Sequence, residues 1–159
     1  MFEPRIIPEC YADTLLIKYI GYEAPNHQHG IGEVANVMIK YYKNKKVIGI
    51  IDDDKTKPKY FDGFRETKRG HNLIVKKRPG TEHYLIVVCR DFEAWIEYAG
   101  NQKSVPRPFP NEDKKFRDNT KDFNVEKNNK ITNYINTIKQ RESPAFLQLK
   151  EFIEEILED

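Results

Sequence analysis

The sequence reads as one α/β domain: a doubly wound, mostly parallel sheet followed by C-terminal helices. Three observations predict it. Val47-Ile-Gly-Ile-Ile51 is an unbroken apolar run, the pattern of a strand buried on both faces of a parallel sheet. The elements before it alternate strand and helix, and those after it read β-β-α-α-α. The chain closes on two amphipathic segments with apolar residues at helical spacing.

The elements follow in order. Arg5 to Pro8 is a short apolar first strand. Asp13 to Tyr19 is helical, with Leu15, Leu16, Tyr19 and Ile20 on its apolar side and Gly21 ending it. Tyr22 to His29 is irregular, with room for a short strand. Gly30 to Gly32 opens a second helix striped by Val34, Val37, Met38 and Tyr41, and Lys43 to Lys46 places positive charge at its end. The strand Val47–Ile51 then stops at Asp52-Asp53-Asp54. Lys55 to Gly70 reads as a polar, aromatic-dotted loop. Asn72 to Lys77 and His83 to Cys89 are strands around a Pro79-Gly80 turn. Asp91 to Ala99 is a helix with Phe92, Trp95 and Ile96 on one side, and Trp95 belongs to the core. Asn101 to Phe123, with Pro106, Pro108 and Pro110, is expected to be a long surface loop able to act as a lid. Val125 to Lys139 is helical, and Ser143-Pro144 caps and starts the last helix. The whole of 1–159 forms one domain, with a core at about 4–99 and a helical extension at 124–158.

Composition narrows the class. The chain has 159 residues, 33% of them charged, and a net charge of only +2. A duplex-coating protein shows a larger basic excess. Basic residues are instead local, at Lys40–Lys59 and Lys68–Arg78. Cys10 and Cys89 are too few and too far apart for a disulfide framework or a zinc signature, which suits a reducing, cytoplasmic setting. The N-terminal residues lack the apolar core of a signal peptide, and no window reaches transmembrane length, so no membrane is expected.

The chemistry concentrates at acidic residues. Asp52 and Asp54 alternate after a buried strand and point to one side of an extended chain. Glu9 directly follows Ile6-Ile7-Pro8, at the carboxyl end of the first strand, where α/β sheets hold their ligands. Carboxylates gathered there repel one another, and a hard divalent cation such as Mg²⁺ relieves the repulsion. A strand ending in a solvated Asp turn is the competing reading of the aspartates. Asp13 reads either as a further acidic ligand or as a helix N-cap. Lys55, Lys57, Lys59 and Arg65 would engage phosphates of a nucleic acid or simply lie on a solvated loop. His27 and His29 are a surface pair, or could join a metal or contact substrate, and His83 is structural.

Taken together, Glu9-Cys-Tyr-Ala-Asp13, a helix, Gly30-x-Gly32 and a strand ending Asp52-x-Asp54 resemble the Toprim domain of topoisomerases, bacterial primases and OLD-family nucleases. Cys10 stands where that family usually has glycine, and Ile31 where many relatives have lysine. Arg90-Asp-Phe-Glu-Ala-Trp-Ile96 is similar to the Phe-Glu-x-Trp segment of small RloB-like Toprim proteins, and Ser143-Pro-Ala-Phe146 resembles their last helix. The resemblance spans about Ile6 to Trp95 and the tail. It implies Mg²⁺- or Mn²⁺-dependent phosphodiester cleavage, as in a nuclease of phage or mobile-element defence. Asp52 and Asp54 would ligate the metal, with Asp13 alongside. Glu9 would serve as general acid/base or further ligand, and Glu93 would complete a second metal site. The alternative is an inactive Toprim-like binding module working through a partner such as an ATPase. The low net charge and Ile31 favour that alternative.

Overall fold

The computed structural model describes residues 1–24, 28, 30–54 and 56–159. Its strands are β1 (Ile6–Pro8), β2 (Val47–Asp52), β3 (Arg65–Gly70), β4 (Leu73–Lys77) and β5 (His83–Val88). Its helices are α1 (Tyr11–Ile20), α2 (Ile31–Tyr41), α3 (Phe92–Asn101), α4 (Asp113–Thr120), α5 (Asn129–Gln140) and α6 (Pro144–Glu158). Short 3₁₀ turns occupy Lys59–Gly63 and Val125–Lys127.

The five strands form one mixed sheet in the order β1-β2-β5-β4-β3. β1, β2 and β5 are parallel, whereas β4 and β3 add an antiparallel hairpin on the β5 side. The sheet is thus parallel only around its acidic edge. All six residues of β2 and of β5 are buried, as the apolar runs require when helices cover both faces.

Period-two alternation sorts the strand side chains into two cores. Ile6, Ile48, Ile50, Ile86 and Val88 pack with residues of α1, α3, α5 and α6. Ile7, Val47, Ile51, Leu85 and Val87 pack on the other face with Val34, Ala35 and Met38 of α2 and with Phe61 and Phe64. Gly49 is required where α2 crosses β2, because a Cβ there would lie 2.9 Å from Leu85 and 3.0 Å from Val34.

Three expectations need correction. Lys55–Gly70 is not one loop: it holds a 3₁₀ turn that buries Phe61 and the edge strand β3, whose side chains are mostly exposed. Asn101–Phe123 is not a loose lid, since Val105, Phe109 and Phe116 are buried and α4 runs through it. Ser143 does not cap α6 with its side chain. Its Oγ instead donates to Ala99 O (2.8 Å) and Gln102 Oε1 (3.0 Å), tying the start of α6 to the end of α3. Within Tyr22–His29, expected to be irregular with room for a short strand, Glu23 forms a parallel bridge with Phe2, and residues 25–27 and 29 lie outside the described residues. His83 is structural as expected: Nε2 meets Tyr42 O at 2.7 Å and Nδ1 meets Tyr60 Oη at 2.6 Å. Trp95 is fully buried, and its Nε1 donates to His71 O. Among the described residues, no helix is long and apolar enough to cross a membrane.

Candidate metal centre

The parallel register of β1 and β2 assembles the acidic group. Pro8 pairs with Ile50, so Glu9, directly after β1, stands level with Ile51 and one residue short of Asp52 at the end of β2. Glu9 N–H donates to Ile50 O at 3.1 Å, extending the ladder by one residue. The Glu9 carboxylate then accepts the Asp52 N–H through Oε2 at 2.9 Å. A buried carboxylate is held here by a backbone donor, which orients it toward Asp52.

α1 begins immediately afterwards and brings the third member. Its N-cap is Cys10, in extended backbone, and Asp13 lies in the first turn. Cys10 Sγ accepts the Asp13 N–H at 3.5 Å and faces Asp13 Oδ2 at 3.2 Å. Asp13 is therefore not the helix cap; its side chain faces the acidic group. The positive end of the helix dipole favours a carboxylate in this turn. Burial, and then the adjacent Asp13, push the Cys10 thiol well above its usual range, so it stays protonated and donates to Asp13.

One oxygen from each of Glu9, Asp13 and Asp52 lies within 4.8 Å of the others. The three residues are 1%, 0% and 6% exposed. Like charges at this spacing in a low-dielectric interior are costly unless a cation or protons compensate them. An all-oxygen donor set of carboxylates fits a hard divalent cation such as Mg²⁺ or Mn²⁺.

A cavity of about 180 Å³ opens beside this group. Asp52 and Asp54 both line it, but they differ: Asp52 is buried and Asp54 is exposed, in the turn where its N–H donates to Arg90 O. Glu93 reaches the cavity from the first turn of α3, and its Oε1 accepts from Thr120 Oγ1 at 2.6 Å. Asp91 caps α3 by accepting the Ala94 N–H.

The expected basic contacts are elsewhere. Lys57 turns onto Asp53, at 3.1 Å from its carboxylate. Lys59 and Arg65 are exposed at the starts of the 3₁₀ turn and of β3. None of these three lines the acidic cavity. Lys55, His27 and His29 lie outside the described residues. The cations on the cavity wall are Arg117 and Lys121 instead, one turn apart at the end of α4. Their spacing of four is visible in the sequence, but α4 is so polar that no apolar stripe announced a helix there. No family model matches the chain, and no curated protein or solved structure matches it either.

Proposed function

We propose that the chain is a Toprim-like, Mg²⁺-dependent phosphodiesterase acting on nucleic acid. One observation carries this reading: three buried carboxylates converge within 4.8 Å at the carboxyl ends of two adjacent parallel strands. The order of the parts supports the Toprim comparison. A glutamate ends β1, a helix follows, and Asp-x-Asp closes the parallel neighbour β2.

Glu9, Asp13 and Asp52 would hold the ion, Asp13 taking the third place that the sequence pattern suggested for Asp54. When bound, a divalent cation supplies Lewis-acid polarisation of a phosphoryl oxygen and acidifies a coordinated water. The protein's own groups do the rest. The backbone N–H of Asp52 fixes Glu9, and the protonated Cys10 thiol fixes Asp13, so both carboxylates are oriented beforehand. Asp54 is exposed on the cavity wall and can exchange protons with solvent. Glu93, anchored by Thr120, is the carboxylate available to a second ion. Arg117 and Lys121 offer positive charge to the phosphate being cut.

The test is cleavage of plasmid, single-stranded DNA and RNA in Mg²⁺, Mn²⁺ or EDTA, beside Asp52→Asn. Metal-dependent cutting is expected, with a loss of about a hundred-fold or more in the variant. No cutting together with no calorimetric Mg²⁺ or Mn²⁺ binding overturns the reading. Metal binding without cutting of any substrate replaces it with the inactive binding module that acts through a partner such as an ATPase.

A further inference from the structure

A second, larger cavity, of about 480 Å³, lies along the other side of α1. Tyr11, Thr14, Leu15 and Lys18 line it at spacings of three and four, so one stripe of the helix forms its floor. Phe2, Tyr22 and Phe123 complete an aromatic wall. Phe2 and Phe123 are 63% and 67% exposed, far more than rings of a folded core. The Tyr11 and Phe123 rings stand 6.4 Å apart and tilted by 59°.

Two segments of chain contribute neighbouring residues to this groove and to the acidic cavity. Cys10 and Ala12 line the acidic cavity while Tyr11, between them, lines the groove. On the opposite wall, Thr120 and Lys121 line the acidic cavity, and Phe123 and Val125 line the groove. Arg117 and Lys121 line the acidic cavity and precede Phe123 of the groove by six and two residues.

From this juxtaposition of cations and aromatic rings we infer that the groove is a nucleobase-stacking subsite and that the substrate is single-stranded nucleic acid. The inference rests on the phosphodiesterase reading for the identity of the adjacent cavity. Alternating cationic and aromatic groups are what an unpaired strand requires: phosphates follow the cations and bases stack on rings. A duplex hides its base faces and cannot use the rings. Charge divides the track in the same sense. Glu23 and Glu126 on the groove repel phosphate but accept hydrogen bonds from exocyclic base amino groups. Lys18 at the rim contacts the flanking phosphate.

The experiment is fluorescence polarisation with short fluorescein-labelled oligoadenylates, one DNA and one RNA, and a self-complementary duplex of equal length. All titrations are made in EDTA, so binding is read without metal or cleavage. Both single strands should bind more tightly than the duplex, and the stronger of the two identifies the natural sugar. Phe123→Ala should weaken single-strand binding about five-fold or more. Phe2→Ala, on the facing wall, should act in the same direction. Arg117→Ala with Lys121→Ala should flatten the dependence of log affinity on log salt by roughly 1.4 units, about 0.7 for each cation. Thermal melts of each variant confirm that it is folded, and both phenylalanines are exposed enough for that to hold. Duplex binding as tight as single-strand binding, no binding of any oligonucleotide, or single-strand binding unchanged in both phenylalanine variants would each overturn the subsite. Binding that depends on Phe123 in a protein that neither binds metal nor cuts would leave the groove standing and remove the phosphodiesterase reading alone.

Discussion

Asp13 sits fully buried in the first turn of α1, with Oδ2 on the Cys10 thiol and its carboxylate beside those of Glu9 and Asp52. Its neighbours are two more carboxylates, so its negative charge opposes folding in the absence of a cation. Asp13→Asn keeps the side-chain shape and removes that charge. In EDTA the variant should be more stable than the parent by about 1 kcal/mol, as expected when function rather than stability selects a residue. The gain should vanish in Mg²⁺, because only the parent is stabilised by binding the ion. Differential scanning fluorimetry in both conditions reads this directly. A variant less stable than the parent in EDTA would mean that the Asp13 carboxylate is a structural acceptor and not part of a metal site. Glu9 and Asp52 were legible beforehand because each ends an apolar strand, where an acidic residue stands out. Asp13 was ambiguous because a helix start welcomes Asp as a cap, and only the structure shows that Cys10 holds that position.

At the scale of elements, α2 packs tightly onto β2 at Gly49. Gly49 faces α2 with Leu85, Val34 and Met38 sulfur at 2.9, 3.0 and 3.3 Å from the place of a Cβ. Every one of these neighbours is buried, so none can swing into solvent. Gly49→Ala should therefore destabilise the fold by about 1–3 kcal/mol, the range for overpacked cores. Urea denaturation with an unchanged m-value would establish it; stability equal to the parent would show that α2 can lift from the sheet at no cost. The same contrast explains which elements the sequence revealed. β2 and β5 are buried on both faces and read as apolar runs. β3 is an edge strand carrying Arg65, Glu66, Lys68 and Arg69 at exposed positions, so its composition is that of a loop. α4 buries only Phe116 and Thr120 of its eight residues, too few to set a helical period against three nearby prolines. Both elements are stabilised by what they pack on, which no local pattern reports.

At the scale of the molecule, the helices on the α1 face close over a common apolar layer, and Tyr134 of α5 sits within it at 3% exposure. Its ring meets Phe116 of α4 edge-on at 6.3 Å, and its hydroxyl lies 3.5 Å from Ile96 O of α3. Ionising it would bury a charge where three helices meet. Burial, reinforced by the nearby Glu97 carboxylate, pushes its pKa from 10.0 to about 12. A raised folded value means that the neutral tyrosine contributes fully below pH 10 and that this contribution is lost as pH rises toward 12. Each pH unit in that interval should cost about 1 kcal/mol. At the acid end, the Arg5 guanidinium holds the Glu3 carboxyl below its ordinary value. That contribution is present above about pH 4.5 and is lost as pH falls through the lowered value. Of these two groups, Glu3 withdraws its contribution on the acid side and Tyr134 on the alkaline side. Unfolding of the parent and of Tyr134→Phe, followed by urea at pH 8 and pH 11, isolates this residue. The variant should lose less stability than the parent between the two pH values, whatever its stability at pH 8. An equal loss in both proteins would assign the alkaline decline to other groups and show that water reaches the Tyr134 hydroxyl before the helical layer separates from the sheet.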